Sequence, residues 1–144
     1  MIGRIGRLVL GAVLASTVLG QAPAVAGQEV VRRGGCSGSS DWELKLSPED
    51  AGIEVEFEVD QNVVGDRWRV VLRHDGDVFF RGRRTTRGPS GSFTVREVEP
   101  DLPGLDRFRA RAVDLATGEV CAGRASIRTP GLPRRPGAGS VPPS

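Results

Sequence analysis

Hydrophobic and polar side chains alternate with a period of two through most of the middle of the chain. In the clearest run, Ile53, Val55, Phe57 and Val59 are separated by Glu54, Glu56 and Glu58. Successive side chains of an extended strand point to opposite faces, so this run predicts a strand with one buried face and one wet face. The same alternation marks Trp42, Leu44 and Leu46, then Trp68, Val70 and Leu72, then Phe93 and Val95. It recurs in Phe108, Ala110 and Ala112, spaced by Arg107, Arg109 and Arg111. No comparable stretch carries helical spacing.

Turn residues punctuate these runs at short intervals. Asp75-Gly76 and Thr117-Gly118 predict tight hairpins, and "SPEDAG", "RGPSGS" and "EPDLPG" mark longer connections. Seven strands are expected, near 42–46, 53–59, 67–74, 78–84, 92–98, 106–115 and 119–128. Seven short antiparallel strands in about 95 residues predict an all-β domain, a single sandwich of immunoglobulin-like or fibronectin-like type.

The ends of the chain read differently. Arg4 and Arg7, the apolar run from Leu8 to Leu19 and the small residues Ala24-Val25-Ala26 have the order of a secretory signal peptide over residues 1–26. The apolar run is shorter than the roughly 20 residues a membrane-spanning helix needs, so a secreted, extracellular protein with no membrane span is expected. Residues 27–35 read as a flexible segment, 36–128 as the domain, and "TPGLPRRPGAGSVPPS" from Thr129 to Ser144 as a disordered tail rich in Pro and Gly.

Removing the leader also changes the charge balance. The whole chain carries 20 basic and 18 acidic side chains; without Arg4 and Arg7 the numbers are equal. The basic character therefore belongs to the precursor, and a nucleic-acid partner is not expected on that ground. Lys45 is the sole lysine, and the preference for arginine reads as the coding bias of a GC-rich genome.

The two cysteines, Cys36 and Cys121, admit four roles. A lipid-anchor cysteine follows the apolar core of a leader directly, whereas Cys36 comes some ten residues after the cleavage site. A metal site needs three or four ligands, and the lone histidine, His74, forms no motif spacing with either cysteine. A nucleophilic exported thiol would tend to oxidise. Pairing of Cys36 with Cys121 is the favoured reading, with the first and last strands side by side. Closing the loop between them stabilises by about 4 kcal/mol in the chain-entropy description, a large share for so small a core.

With "GCSGSSDWELKLSPED", "IEVEFEVDQN" and "DRWRVVLRHDG" in view, the chain resembles a group of small secreted proteins of high-GC Gram-positive bacteria. The resemblance spans about residues 33–128. It implies an exported sandwich of immunoglobulin-like type and carries over no catalytic or binding residue. Trp68 sits on the third expected strand, as the core tryptophan of antibody domains does. The cysteines, however, are not on strands two and six, and there is no tyrosine for a tyrosine corner.

Other candidate chemistry has a plainer alternative in each case. Glu54, Glu56 and Glu58 read as the wet face of a strand rather than a cation surface. Asp75 and Asp77 read as turn residues, and His74 as a surface or hairpin residue. Ser37, Ser39, Ser40 and Asp41 raise hydrolase chemistry as a candidate, but no G-x-S-x-G elbow is present and a lone histidine must serve any triad, so Asp41 or Ser40 reads as local turn chemistry before the Trp42 strand. Neither a catalytic residue, nor a metal site, nor a cofactor is expected.

The strongest functional signal is a segregation of charge. In an immunoglobulin-like arrangement one sheet presents Glu43, Glu54, Glu56 and Glu58, partly offset by Lys45 and Arg96. The other presents Arg67, Arg69, Arg73, Arg81, Arg83, Arg107, Arg109 and Arg111. The leading expectation is a secreted, non-enzymatic interaction module that holds an anionic cell-envelope polymer, or another extracellular protein, through its arginine-rich sheet. The competing description is a solvated face whose arginine stems cover aliphatic surface. Alternative functions are a protease inhibitor presenting "TTRGPSGS" with Arg84 or Arg87 as anchor, and a small-molecule carrier with a deep apolar cleft.

Overall fold

The computed structural model describes residues 27–130. The expected signal peptide, 1–26, and residues 131–144 of the expected tail lie outside the described residues. The described chain contains eight strands and no helix. They are β1 (Val30–Gly35), β2 (Asp41–Glu49), β3 (Gly52–Asp60), β4 (Arg67–His74), β5 (Asp77–Thr85), β6 (Ser92–Glu99), β7 (Asp106–Asp114) and β8 (Val120–Ile127).

The strands form two antiparallel sheets of four, in the orders β1-β2-β3-β6 and β5-β4-β7-β8. The period-two runs explain this arrangement. Leu44, Leu46, Ile53, Val55, Phe57, Val59, Phe93 and Val95 come from the first sheet. Trp68, Val70, Leu72, Phe108, Ala110, Ala112, Cys121, Ala125 and Ile127 come from the second, and all seventeen belong to one buried cluster. Each fully buried Leu, Val or Phe contributes roughly 1.5–3 kcal/mol relative to exposure, so this shared cluster drives the pairing of the two sheets.

Trp68 sits at the centre of the core with no exposed surface. Its indole N–H donates to Gln61 Oε1 at 3.0 Å, and the Gln61 amide donates to Asp66 at 2.7 Å and to Asp114 at 3.1 Å. The buried polar atom is thus satisfied, as an interior indole requires.

Two hairpins follow from turn chemistry. Asp75 and Gly76 both have positive φ, +46° and +99°, the combination a two-residue turn between right-twisted strands demands. Gly118 also has positive φ and donates its N–H to the Asp114 carbonyl at 2.9 Å. At Gly52, φ is +147° and a Cβ would collide with the Glu99 carbonyl, so the start of β3 can approach the end of β6 only with glycine there.

One expected segment takes a different form. Residues 27–35 read as loose, yet Val30–Gly35 is a strand paired with β2 through the register Val30↔Leu46 to Gly35↔Asp41. Its pattern is hidden because Gly34 occupies a position where a Cβ would run into the Trp42 ring. The indole fills the space a side chain would take, and Gly123 of β8 closes on the same ring. The strand count is therefore eight rather than seven. At the other end, Thr129, assigned to the tail by composition, is half-buried and donates to Asp101.

Candidate anion-binding face

The Cys36 and Cys121 sulfurs are at bonding distance, with Cα atoms 4.3 Å apart. Their setting differs from strands lying side by side in one sheet. Cys36 lies in the β1–β2 connection of the first sheet and Cys121 on β8 of the second, so the pair joins the two sheets across the core edge.

The serines around Cys36 do the same work by hydrogen bonding. Ser37 N–H donates to the Val120 carbonyl, Val120 N–H donates to Ser37 Oγ, and Glu119 accepts from Gly38 N, Ser40 N and Ser40 Oγ. Ser40 is buried, and its partner is 79 residues away. The expected local turn chemistry is in fact a long-range dock onto the start of β8.

His74 is the hairpin residue expected, ending β4 opposite Asp77, but it is not at the surface: it is only 6% exposed and stacked on Phe108 at 4.2 Å. Alternation along β4 places it inward, beside Asp106 and Glu99, which come from other strands.

The two outward sheet faces differ in their electrostatics. On the first, the ladder sets Lys45 and Arg96 on either side of Glu56, and Arg33 beside Glu43. Lys45 Nζ lies 3.7 Å from Glu56, Arg33 lies 2.5 Å from Glu43, and Arg96 pairs with Glu56 and, at 3.9 Å, with Glu54. The hydrogen bond from Arg96 to Glu56, and then the charges of Glu56 and Glu54, raise the Arg96 pKa above its already high ordinary value. This face is a mixed-sign network with most cations paired.

The second face has no such network. Arg67, Arg69, Arg73, Arg81, Arg83, Arg107, Arg109 and Arg111 are all exposed there, and Arg124 of β8 joins them. Among the described residues, none of these nine has a carboxylate within ion-pair distance. Arg73 and Arg107 donate to the backbone carbonyls of Gly76 and Leu105.

Strand register turns seven of the nine into ordered rows. Arg73 stands opposite Arg109, which stands opposite Arg124, giving three guanidinium-bearing positions across β4, β7 and β8. The next row reads Arg81, Val71, Arg111 and Ala122, and the one after it Arg83, Arg69, Val113 and Val120. Adjacent strands are about 4.8 Å apart, well inside the roughly 8 Å screening length at physiological salt. The positive fields of the row therefore add.

Between the first two rows lies a depression of about 380 Å³, floored by Val71, Ala122 and Gly123 and rimmed by Arg73, Arg81, Arg109, Arg111 and Arg124. A depression of about 470 Å³ on the other sheet, beside Trp42, mixes Arg33 with Asp41, Glu43, Glu58 and Asp60. Only the first is lined by charge of a single sign.

Arg124 escaped the sequence pattern because its strand, "VCAGRASI", alternates small residues with small residues. Cys121, Gly123 and Ala125 point inward, Ala122 and Ser126 outward, so hydropathy contrast is weak. The spacing of Cys121 and Ile127, both on the inward set, is the signal that would have placed it.

No protein-family model, curated protein or solved structure matches the chain.

Proposed function

We propose that the protein is a secreted, non-enzymatic interaction module that binds an extracellular polyanion, such as an anionic cell-envelope polymer, on the β5-β4-β7-β8 face. The observation that carries this reading is the row Arg73–Arg109–Arg124, three like charges in direct cross-strand register with no carboxylate among the described residues within ion-pair distance. Like charges directly opposite in a sheet destabilise it. A solvated face has no need of that cost, since threonine or glutamine would cover the same surface. A polyanion laid along the rows offsets it and releases counterions as each arginine is neutralised.

The architecture supports a display role. In this reading the two sheets form a sandwich closer to the fibronectin type than to the antibody type, because β5 pairs with β4 rather than with β6. The sandwich is a rigid platform for the arginine rows, with the Cys36–Cys121 pair and the Glu119 dock holding its edge. Ser37 and Ser40 are engaged with Val120 and Glu119, and the His74 ring nitrogens face Glu99 and Asp106 instead.

The inhibitor reading draws less support. Arg84 is half-buried with its guanidinium 4.8 Å from the centre of the Phe80 ring, and Thr86 is buried against Asp66, so the first half of "TTRGPSGS" is anchored. The reading is tested by retention of the disulfide-bonded protein on an immobilised polyphosphate or heparin-like resin against an uncharged resin. Retention that disappears with added salt is expected; equal elution from both resins at low salt would refute it.

A further inference from the structure

We propose that His74, Asp75 and Asp106 form a binding site for a first-row divalent transition cation such as Zn²⁺. The three donor atoms lie within 4.8 Å of one another. They come from the end of β4, the Asp75-Gly76 turn and the start of β7, which the β4–β7 ladder and the hairpin bring together.

The carboxylates are arranged around one ring nitrogen. His74 Nε2 lies 2.7 Å from Asp106 Oδ1 and 3.7 Å from Asp75 Oδ2. Asp75 Oδ1 is occupied, accepting from Arg107 N–H at 3.1 Å, which leaves Oδ2 turned to the imidazole. Asp106 is fully buried, its Oδ1 also accepts from Leu102 N–H at 3.2 Å, and its Oδ2 has no hydrogen-bond partner. A buried carboxylate oxygen without a partner is costly and calls for a specific explanation. A cation bound by both oxygens of this carboxyl group, Oδ1 facing Nε2 and the unpartnered Oδ2, supplies one.

The other ring nitrogen is supported as metal-bound histidines are. His74 Nδ1 lies 3.4 Å from Glu99 Oε2, so a proton on Nδ1 donates to a carboxylate while Nε2 is left to ligate. Phe108 stacks on the ring and fixes its plane. Asp75 is exposed, which leaves one side open for entry and for water ligands.

The donor set is one imidazole nitrogen with two carboxylates, a set suited to zinc and its neighbours rather than to calcium. Ligands about 2.0–2.2 Å from a tetrahedral ion lie roughly 3.3 Å apart. The Nε2–Asp106 pair, at 2.7 Å, therefore opens by about half an ångström, and Asp75 closes on Nε2 by about as much and on Asp106, from a separation of up to 4.8 Å, by up to about 1.5 Å. Any proton on Nε2 leaves to solvent as the ion enters.

The test is calorimetric titration of Zn²⁺ into the full chain, expressed for export without a histidine tag and with its disulfide formed. One ion per chain is expected. Asp75→Asn should weaken binding at least about tenfold, and Glu99→Gln about tenfold through loss of the Nδ1 support. Asn tolerates the left-handed turn and retains an acceptor for Arg107 N–H, so metal-free Asp75→Asn should melt at the parent temperature. Absence of binding at millimolar Zn²⁺ would overturn the proposal. So would equal affinity in parent and Asp75→Asn, or Ca²⁺ binding as tightly as Zn²⁺.

Discussion

Arg73 and Arg109 are direct cross-strand partners on the outward face of β4 and β7, and among the described residues neither has a carboxylate within ion-pair distance. The pair is a repulsive element retained in a small domain. Arg109 also faces Arg124, so replacing it relieves two repulsions at once. Arg109→Thr should leave stability unchanged or raise it by up to about 1 kcal/mol at low salt, with the gain fading as salt screens the charges. Urea denaturation at two ionic strengths measures this. A loss of more than about 1 kcal/mol would show that Arg109 has a structural partner.

Trp68 and Arg69 are adjacent in sequence and opposite in role. Trp68→Ala should cost about 3–5 kcal/mol, because it empties a central site and strands the Gln61 carbonyl. Arg69→Ala should change stability by no more than about 0.5 kcal/mol. Comparable losses in the two variants would mean that the inward set of β4 is misplaced.

The dock between the β1–β2 connection and β8 combines a covalent and a hydrogen-bonded link. Thiol titration of the denatured, unreduced protein should find no reactive cysteine, and reduction should lower stability by about 4 kcal/mol. Glu119→Ala, with the disulfide intact, should cost about 1–3 kcal/mol by leaving the buried Ser40 N–H and hydroxyl without an acceptor. A neutral Glu119→Ala would show that water replaces the carboxylate there.

The ease of reading this fold from sequence varied with side-chain contrast. β3 and β4 are plain because each alternates large apolar with charged residues, and the arginines spaced by Phe108, Ala110 and Ala112 placed β7 and its charged face together. The same logic located eight of the nine arginines. It failed where contrast vanishes: at β1, where Gly34 yields its volume to Trp42, and for the outward face of β8, a strand expected at 119–128, where small residues hide Arg124. It also failed for His74. Nothing in the local sequence announces that strand pairing will bring Asp106, 32 residues on, to 2.7 Å from its ring. Motif spacing detects ligands on one element, whereas these carboxylates converge from different strands and a turn.

The arginine rows as a polyanion surface are tested most directly by the slope of log Kd against log salt. Each arginine that neutralises an anionic group contributes roughly 0.7–0.9 to that slope. The triple variant Arg73→Ser, Arg109→Ser, Arg124→Ser should bind a polyphosphate chain more weakly and with a slope lower by about 2–3, while melting no earlier than the parent. A parent protein whose binding is absent or insensitive to salt, or a triple variant with the parent's slope, would contradict the account.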